Sequence, residues 1–225
     1  ISLICFCVSI SHSAFAQGSG PEFVDPDMIV FEADGNLLIT DQGLRAIFRV
    51  DPVTGDRTIL SDENTGSGLP FGGLTDLVIE ADGNIVVSGS NRVTRVDPIT
   101  GDRTILSRED IGSGPAFVET QAIVVDADGS LLVLTGSPTR IFRVDPITGD
   151  RTIVSDDSTG SGPLFGSSPS DIAVEESGSI LVTLSGIEAI MRVDPMTGDR
   201  TILSDASTGS GQTYRNPYEI GRAHV

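Results

Sequence analysis

Oxygen is the main donor atom this sequence offers to chemistry. It holds 32 Asp and Glu against 14 bases, all of them Arg, for a net charge of −18 over 225 residues. Cys5, Cys7 and His12 lie near the start and His224 near the end; Gln17 to Tyr218 contains no Cys, His, Lys or Trp. That body therefore lacks the parts of a Ser-His-Asp triad, a thiolate nucleophile, an imidazole or thiolate zinc site and a Schiff-base lysine. Carboxylates remain, and they suit hard cations such as Ca²⁺ or Mg²⁺. Asp126-Ala127-Asp128-Gly129 has the look of a Ca²⁺ loop, but an EF-hand needs a third oxygen ligand before its Gly and a Glu six residues after it, and neither is present. The Gly-Ser-Gly loops at Gly66, Gly160 and Gly209 lack the Gly-Lys-Ser/Thr and following helix of a phosphate loop. The acidic balance argues against a nucleic-acid partner, whose phosphates need a basic surface.

The two ends read differently from the body. Ile1 to Ile10 is a short apolar stretch followed by Ala14-Phe15-Ala16, an A-x-A cleavage pattern before Gln17. Residues 1–16 are therefore expected to be part of a secretory signal peptide, which places the protein outside the cell or in the periplasm, with 17–24 as a linker. No apolar run reaches the roughly 18 residues of a membrane span, so stable membrane insertion is not expected. The last seven residues, Glu219 to Val225, break the pattern of the body and match the translation of a common short-read sequencing adapter. They are expected to be an artefact, with the native chain continuing past Tyr218.

Positioning of any side chain falls to an internal repeat. V-D-P-x-T-G-D-R-T-I-[LV]-S starts at Val50, Val96, Val144 and Val193, at spacings of 46, 48 and 49 residues. Between these fall EADGN at Glu32 and Glu80, DADGS at Asp126 and EESGS at Glu175, with a Gly-Ser-Gly loop after each copy. Each copy reads as four short strands. The Asp-Gly pair reads as a two-residue hairpin turn, and Asp-Pro-x-Thr-Gly as a second turn. No window shows a 3.6-residue apolar period, so no helix is expected in the body. A four-stranded meander of this length in tandem is the pattern of a β-propeller blade, whose apolar faces are buried only by neighbouring blades. The expected fold is all-β, with antiparallel blades at about 25–72, 73–120, 121–168 and 169–216, and a fifth copy opening at Pro217. The loop aromatics Phe71, Phe117, Phe165 and Tyr214 are expected to plug the gaps between blades. Arg49, Arg95, Arg143 and Arg192, with Arg57, Arg103, Arg151 and Arg200, are expected to form inter-blade or cross-strand pairs with carboxylates.

FEADGNLLITDQGLRAIFRVDPVTG, Phe31 to Gly55, resembles the blades of NHL-repeat propellers and the related gluconolactonase (regucalcin-like) propellers. The resemblance covers all four copies and implies a ring that commonly has six blades, so four copies would be about two thirds of it. Lactonases of that kind hold a divalent cation over the central channel with Glu, Asn and Asp from first-strand ends. The equivalent positions are Met28, Asp76, Ala122 and Asp171. Asp76 and Asp171 are thus the candidate metal ligands, and Ca²⁺ the cofactor the resemblance would put there. The related propeller lyases use a His base, which this body lacks. The first functional reading is an exported, non-catalytic scaffold that binds a protein, glycan or small molecule. The near-identity of the copies supports it, because an active site needs different residues in different blades. The alternative is a divalent-metal-dependent lactonase or hydrolase with its site mostly in blades outside this sequence.

Overall fold

The computed structural model describes residues 18–212, 215 and 217. The expected signal segment, Tyr214, Tyr218 and the adapter-like tail lie outside the described residues.

Sixteen strands form four sheets, each of four consecutive antiparallel strands. The first blade holds β1 (Pro26–Phe31), β2 (Leu37–Asp41), β3 (Ala46–Val50) and β4 (Arg57–Ser61). The second holds β5 (Asp76–Ile79), β6 (Ile85–Gly89), β7 (Arg92–Val96) and β8 (Arg103–Ser107). The third holds β9 (Thr120–Val125), β10 (Leu131–Thr135), β11 (Arg140–Val144) and β12 (Arg151–Ser155). The fourth holds β13 (Pro169–Val174), β14 (Ile180–Leu184), β15 (Ala189–Val193) and β16 (Arg200–Ser204). Among the described residues there is no α-helix, only one 3-10 turn at Ser185–Ile187. First strands of successive blades lie against one another, β1 on β5, β5 on β9 and β9 on β13, as in a β-propeller.

The turns follow from local chemistry. Asp51 Oδ1 accepts the amides of Val53 (2.7 Å) and Thr54 (3.1 Å), and Gly55, at φ 75°, closes the turn by donating to the Asp51 carbonyl. Asp97, Asp145 and Asp194 repeat this bonding. The first hairpin of each blade differs from expectation. In blade one, Glu32 and Asn36 close a three-residue loop, Ala33-Asp34-Gly35. The Gly35 amide donates to the Glu32 carbonyl, and Gly35 alone of the three has positive φ. This is a type I turn rejoined through a left-handed Gly, not a two-residue type I′ turn.

Packing is between blades. One buried cluster joins Leu38, Ile47 and Leu60 of blade one to Leu77, Ile85 and Val87 of blade two, with Phe71. Phe117 joins the equivalent cluster between blades two and three, and Phe165 that between three and four. The three loop aromatics are buried in these seams, where the sequence pattern puts them. The Arg of each third strand pairs with the acid after the first strand, Arg49 with Glu32 and Arg95 with Glu80, both bidentate at 2.6 Å. These two guanidiniums also reach the next blade, donating to the Pro98 and Pro146 carbonyls at 2.8 Å.

The fourth-strand Arg do something else. Arg103, Arg151 and Arg200 are buried, and they donate to loop carbonyls and hydroxyls rather than to carboxylates. Arg151, for example, donates to the carbonyls of Arg108, Ile111 and Pro115 at 2.7 to 2.8 Å and lies 5.3 Å from the Phe117 ring centre. Each of these cations is satisfied by the loop that wraps it, as a buried charge must be.

Candidate functional site

The first strands converge on a concave cavity of about 940 Å³. Its mouth is on the face formed by the turns between second and third strands, here Gly136 to Thr139 and Ser185, and by the segments leading into the first strands, Glu119 and Gly166 to Ser168. These parts are tied together by backbone bonds. The Gly136 amide donates to the Glu119 carbonyl at 2.7 Å, and the Ser185 amide to that of Ser168 at 3.0 Å. Glu119 and Ser168, at equivalent places in their blades, both take left-handed backbone, with φ of 52° and 58°. Among the described residues, five carboxylates line the cavity, those of Asp27, Asp76, Glu119, Asp157 and Asp171, and no Arg does.

Asp76 and Asp171 both reach this cavity wall, yet they are 1% and 4% exposed. Asp76 Oδ1 accepts the Leu77 amide at 2.7 Å, and Oδ2 accepts the Ile123 amide of the next blade at 2.8 Å. Asp171 Oδ1 accepts the Ile172 amide at 2.8 Å, and the Asp171 amide donates to Thr183 Oγ1 at 3.0 Å. Both are built into the backbone network, and Asp76 straps one inner strand to the next. The equivalent Met28 and Ala122 bring no oxygen ligand. Among the described residues, no three His, Cys, Asp or Glu side chains gather as a metal would require. Among the described residues, these two amide-bound carboxylates do not make the oxygen cage that a divalent cation takes.

The open acids are ones the repeat alignment passed over. Asp27, Thr75, Gln121 and Ser170 stand one residue before Met28, Asp76, Ala122 and Asp171, and all four line the cavity. Side chains alternate along a strand, so neighbouring positions face differently. Here the earlier position is exposed or half-buried, while Asp76, Ala122 and Asp171 are buried. The signal in the sequence was chemical variety, since this position differs in every blade. Asp27 is exposed at the mouth; partial burial and the nearby Asp25 push its carboxyl above the usual value. Glu119 is exposed and its own amide donates to Asn91 Oδ1 at 2.7 Å, which fixes the lead-in to β9.

The site is therefore a polar, anionic bowl with no thiol, no imidazole and no gathered metal ligands among the described residues. It can accept hydrogen bonds and attract positive charge.

No family model matches this sequence, and no curated protein does. Solved structures resemble it in fold. Virginiamycin B lyase from Staphylococcus aureus matches at a TM-score of 0.61 with 20% identity, over 81% of this chain and 56% of the lyase. The nidogen/laminin complex matches at 0.67 with 16% identity, over 87% of this chain and 67% of the other. A gluconolactonase-family protein matches at 0.56 with 15% identity, over 79% and 62%. The chain thus spans just over half the length of the lyase. At these identities the likeness is one of fold, and that fold is a β-propeller whose relatives serve unlike functions.

Proposed function

We propose that this chain belongs to an exported propeller that binds rather than catalyses, with the acidic bowl as its binding surface and a basic protein segment as its ligand. The observation that carries the reading is Asp76. Both oxygens of the best candidate metal ligand accept backbone amides, one of them across the blade seam, so this carboxylate acts as a strut. The remaining carboxylates at the mouth, with no cation among the lining residues, favour a positively charged partner through steering and charge complementarity. Export rests on the apolar leader and its A-x-A boundary before Gln17. A propeller in complex with laminin is among the structures of like fold, which supports a protein as partner.

The test is calorimetric titration with a tetra-arginine peptide at low and physiological salt. Saturable binding that weakens with salt is expected. It should fall in a variant carrying Asp27→Asn and Glu119→Gln, and persist in Glu176→Gln, which changes an exposed acid on the hairpin face opposite the mouth. Equal binding by all three would remove the bowl as the site. Ca²⁺-dependent lactone hydrolysis that disappears in Asp76→Asn would instead establish the metal-dependent lactonase.

A further inference from the structure

One cross-strand position in blade two departs from the repeat in sign. The residue after the Ser that ends the fourth strand is Asp in three blades, Asp62, Asp156 and Asp205, but Arg108 in blade two. Each of the three Asp braces its loop through Oδ1, which accepts the amides two and three residues on at 2.6 to 2.9 Å. Arg108 has no oxygen to offer those amides. The loop of blade two is held by a two-way backbone bridge between Arg108 and Ile111, at 3.0 and 3.1 Å.

The residue across the strand pair gives this change its meaning. In blade three Ile141 pairs with Ser155, and one step outward Arg140 meets Asp156, Nε to Oδ2 at 3.4 Å. In blade two Val93 pairs with Ser107, and the same step sets Arg92 opposite Arg108. Blades one and four carry Ala46 and Ala189 in the place of Arg92. Two cations thus stand where blade three has an ion pair, and like charges directly opposite are destabilising. Burial, followed by the nearby Arg108 and Arg103, holds the Arg92 guanidinium below its ordinary pKa. Arg92 Nη2 donates to the Pro70 carbonyl, and among the described residues no carboxylate lies within 4 Å of Arg92. Asp110 takes the Nε and Nη2 of Arg108, the second at 2.8 Å, with its side chain 66% exposed. Two cations against one anion leave surplus positive charge in a strongly acidic chain.

The place of this charge matters as much as its sign. Arg92 follows Asn91, whose Oδ1 accepts the amide of the bowl acid Glu119 at 2.7 Å. The pair therefore stands at the rim of the mouth, in a blade with described blades on both sides. An oxyanion between the two guanidiniums would relieve their repulsion, and the planar Arg fork fits a carboxylate. The acidic field of the chain penalises a phosphate dianion more than a singly charged carboxylate.

We propose that Arg92 and Arg108 form a carboxylate seat at the rim of the bowl. It takes an acidic side chain of a ligand whose cationic residues lie among the bowl acids. The cationic half rests on the binding role proposed for the bowl; the seat stands without it.

The first measurement titrates the full chain with acetate at constant ionic strength and follows the guanidinium Nε–H resonances. Saturable shifts are expected at Arg92 and Arg108, with Arg103, Arg151 and Arg200 unmoved. Arg108→Asp gives blade two the charge pairing of blade three, so it should fold and lose the response. Asp110→Asn removes the resident competitor and should tighten acetate binding, which a purely structural pair would not do. No saturable shift, or shifts that survive Arg108→Asp, overturn the seat. Tighter binding of inorganic phosphate overturns its preference for carboxylate. The second measurement compares by calorimetry two peptides amidated at the C-terminus, RRRRGE and RRRRGQ. The Glu peptide should bind the unaltered chain about fivefold more tightly, and Arg108→Asp should abolish that preference. Equal binding to the unaltered chain overturns the two-point ligand. Binding of neither peptide removes the basic ligand of the bowl, while the acetate titration still decides the seat.

Discussion

Blade one and blade three are copies of one repeat and differ in what covers them. Ile29 and Ile123 occupy the same position of the first strand, yet Ile29 is 53% exposed and Ile123 fully buried. Blade two lies over Ile123, and no described blade lies over Ile29. Further out, the two blades agree again. Phe48 and Phe142 are both fully buried, one under Phe23 and the other under Phe117. Residues 18–23 thus cover the outer strands of blade one and leave its inner strand uncovered among the described residues. The burial of a strand here is a property of the seam, not of the strand.

The largest test of that contrast is truncation at the matched position. Ile123→Ala should cost about 2–5 kcal/mol of unfolding free energy and Ile29→Ala under about 1 kcal/mol. Denaturant titration of the two variants measures this, and equal losses would break the comparison. Asp76→Ala comes next. It leaves the buried Ile123 amide without its acceptor across the seam and should cost about 1–3 kcal/mol, with amide exchange at Ile123 accelerated before the rest of β9.

Acid should then loosen blades two, three and four together, because their turn acids are alike. Backbone amides hold the carboxyls of Asp97, Asp145 and Asp194 below their usual 3.8. A carboxyl whose pKa is depressed in the folded state stabilises that state above its unfolded value, and the benefit is lost as pH falls below 3.8 through the folded values. Thermal unfolding followed through that range should show a decline that Asp145→Asn makes shallower. The smallest effect belongs to the turn tips. Ile147 is 87% exposed, and Ile147→Ser should leave stability within about 0.5 kcal/mol of the parent in the same titration.

Several features are legible in the sequence, and several are not. Repeat spacing placed the strands and the second turn, because Asp, Pro, Thr and Gly act there through their own local backbone. The same local reading misjudged the first hairpin, where Ala33-Asp34-Gly35 closes as a three-residue loop. Arg49 and Arg95 meet the carboxylates expected of them; Arg103, Arg151 and Arg200 meet carbonyls instead, which depends on a loop folding back from the preceding blade. Gly18 to Phe23 is a fifth Gly-Ser-Gly-x-x-aromatic match in the letters, but its role shows only where it docks. At the bowl, the repeat pattern points to Asp76 and Asp171, whereas the open acids are Asp27, Glu119 and Asp157.

Four strands, their turns, the aromatic after each Gly-Ser-Gly, and a body without His, Cys and Lys are all readable from the repeat itself. Those follow from backbone preference and residue chemistry, which act over a few residues. Folding settles which carboxylates face the bowl, which are struts, and that residues 18–23 dock on the fourth-strand turn of blade one. Each of these depends on contacts between segments some 30 to 50 residues apart, as the Ile123 amide on Asp76 and the Ser19 amide on Asp56 illustrate. A repeat that writes the same letters in every blade leaves such choices to the seams.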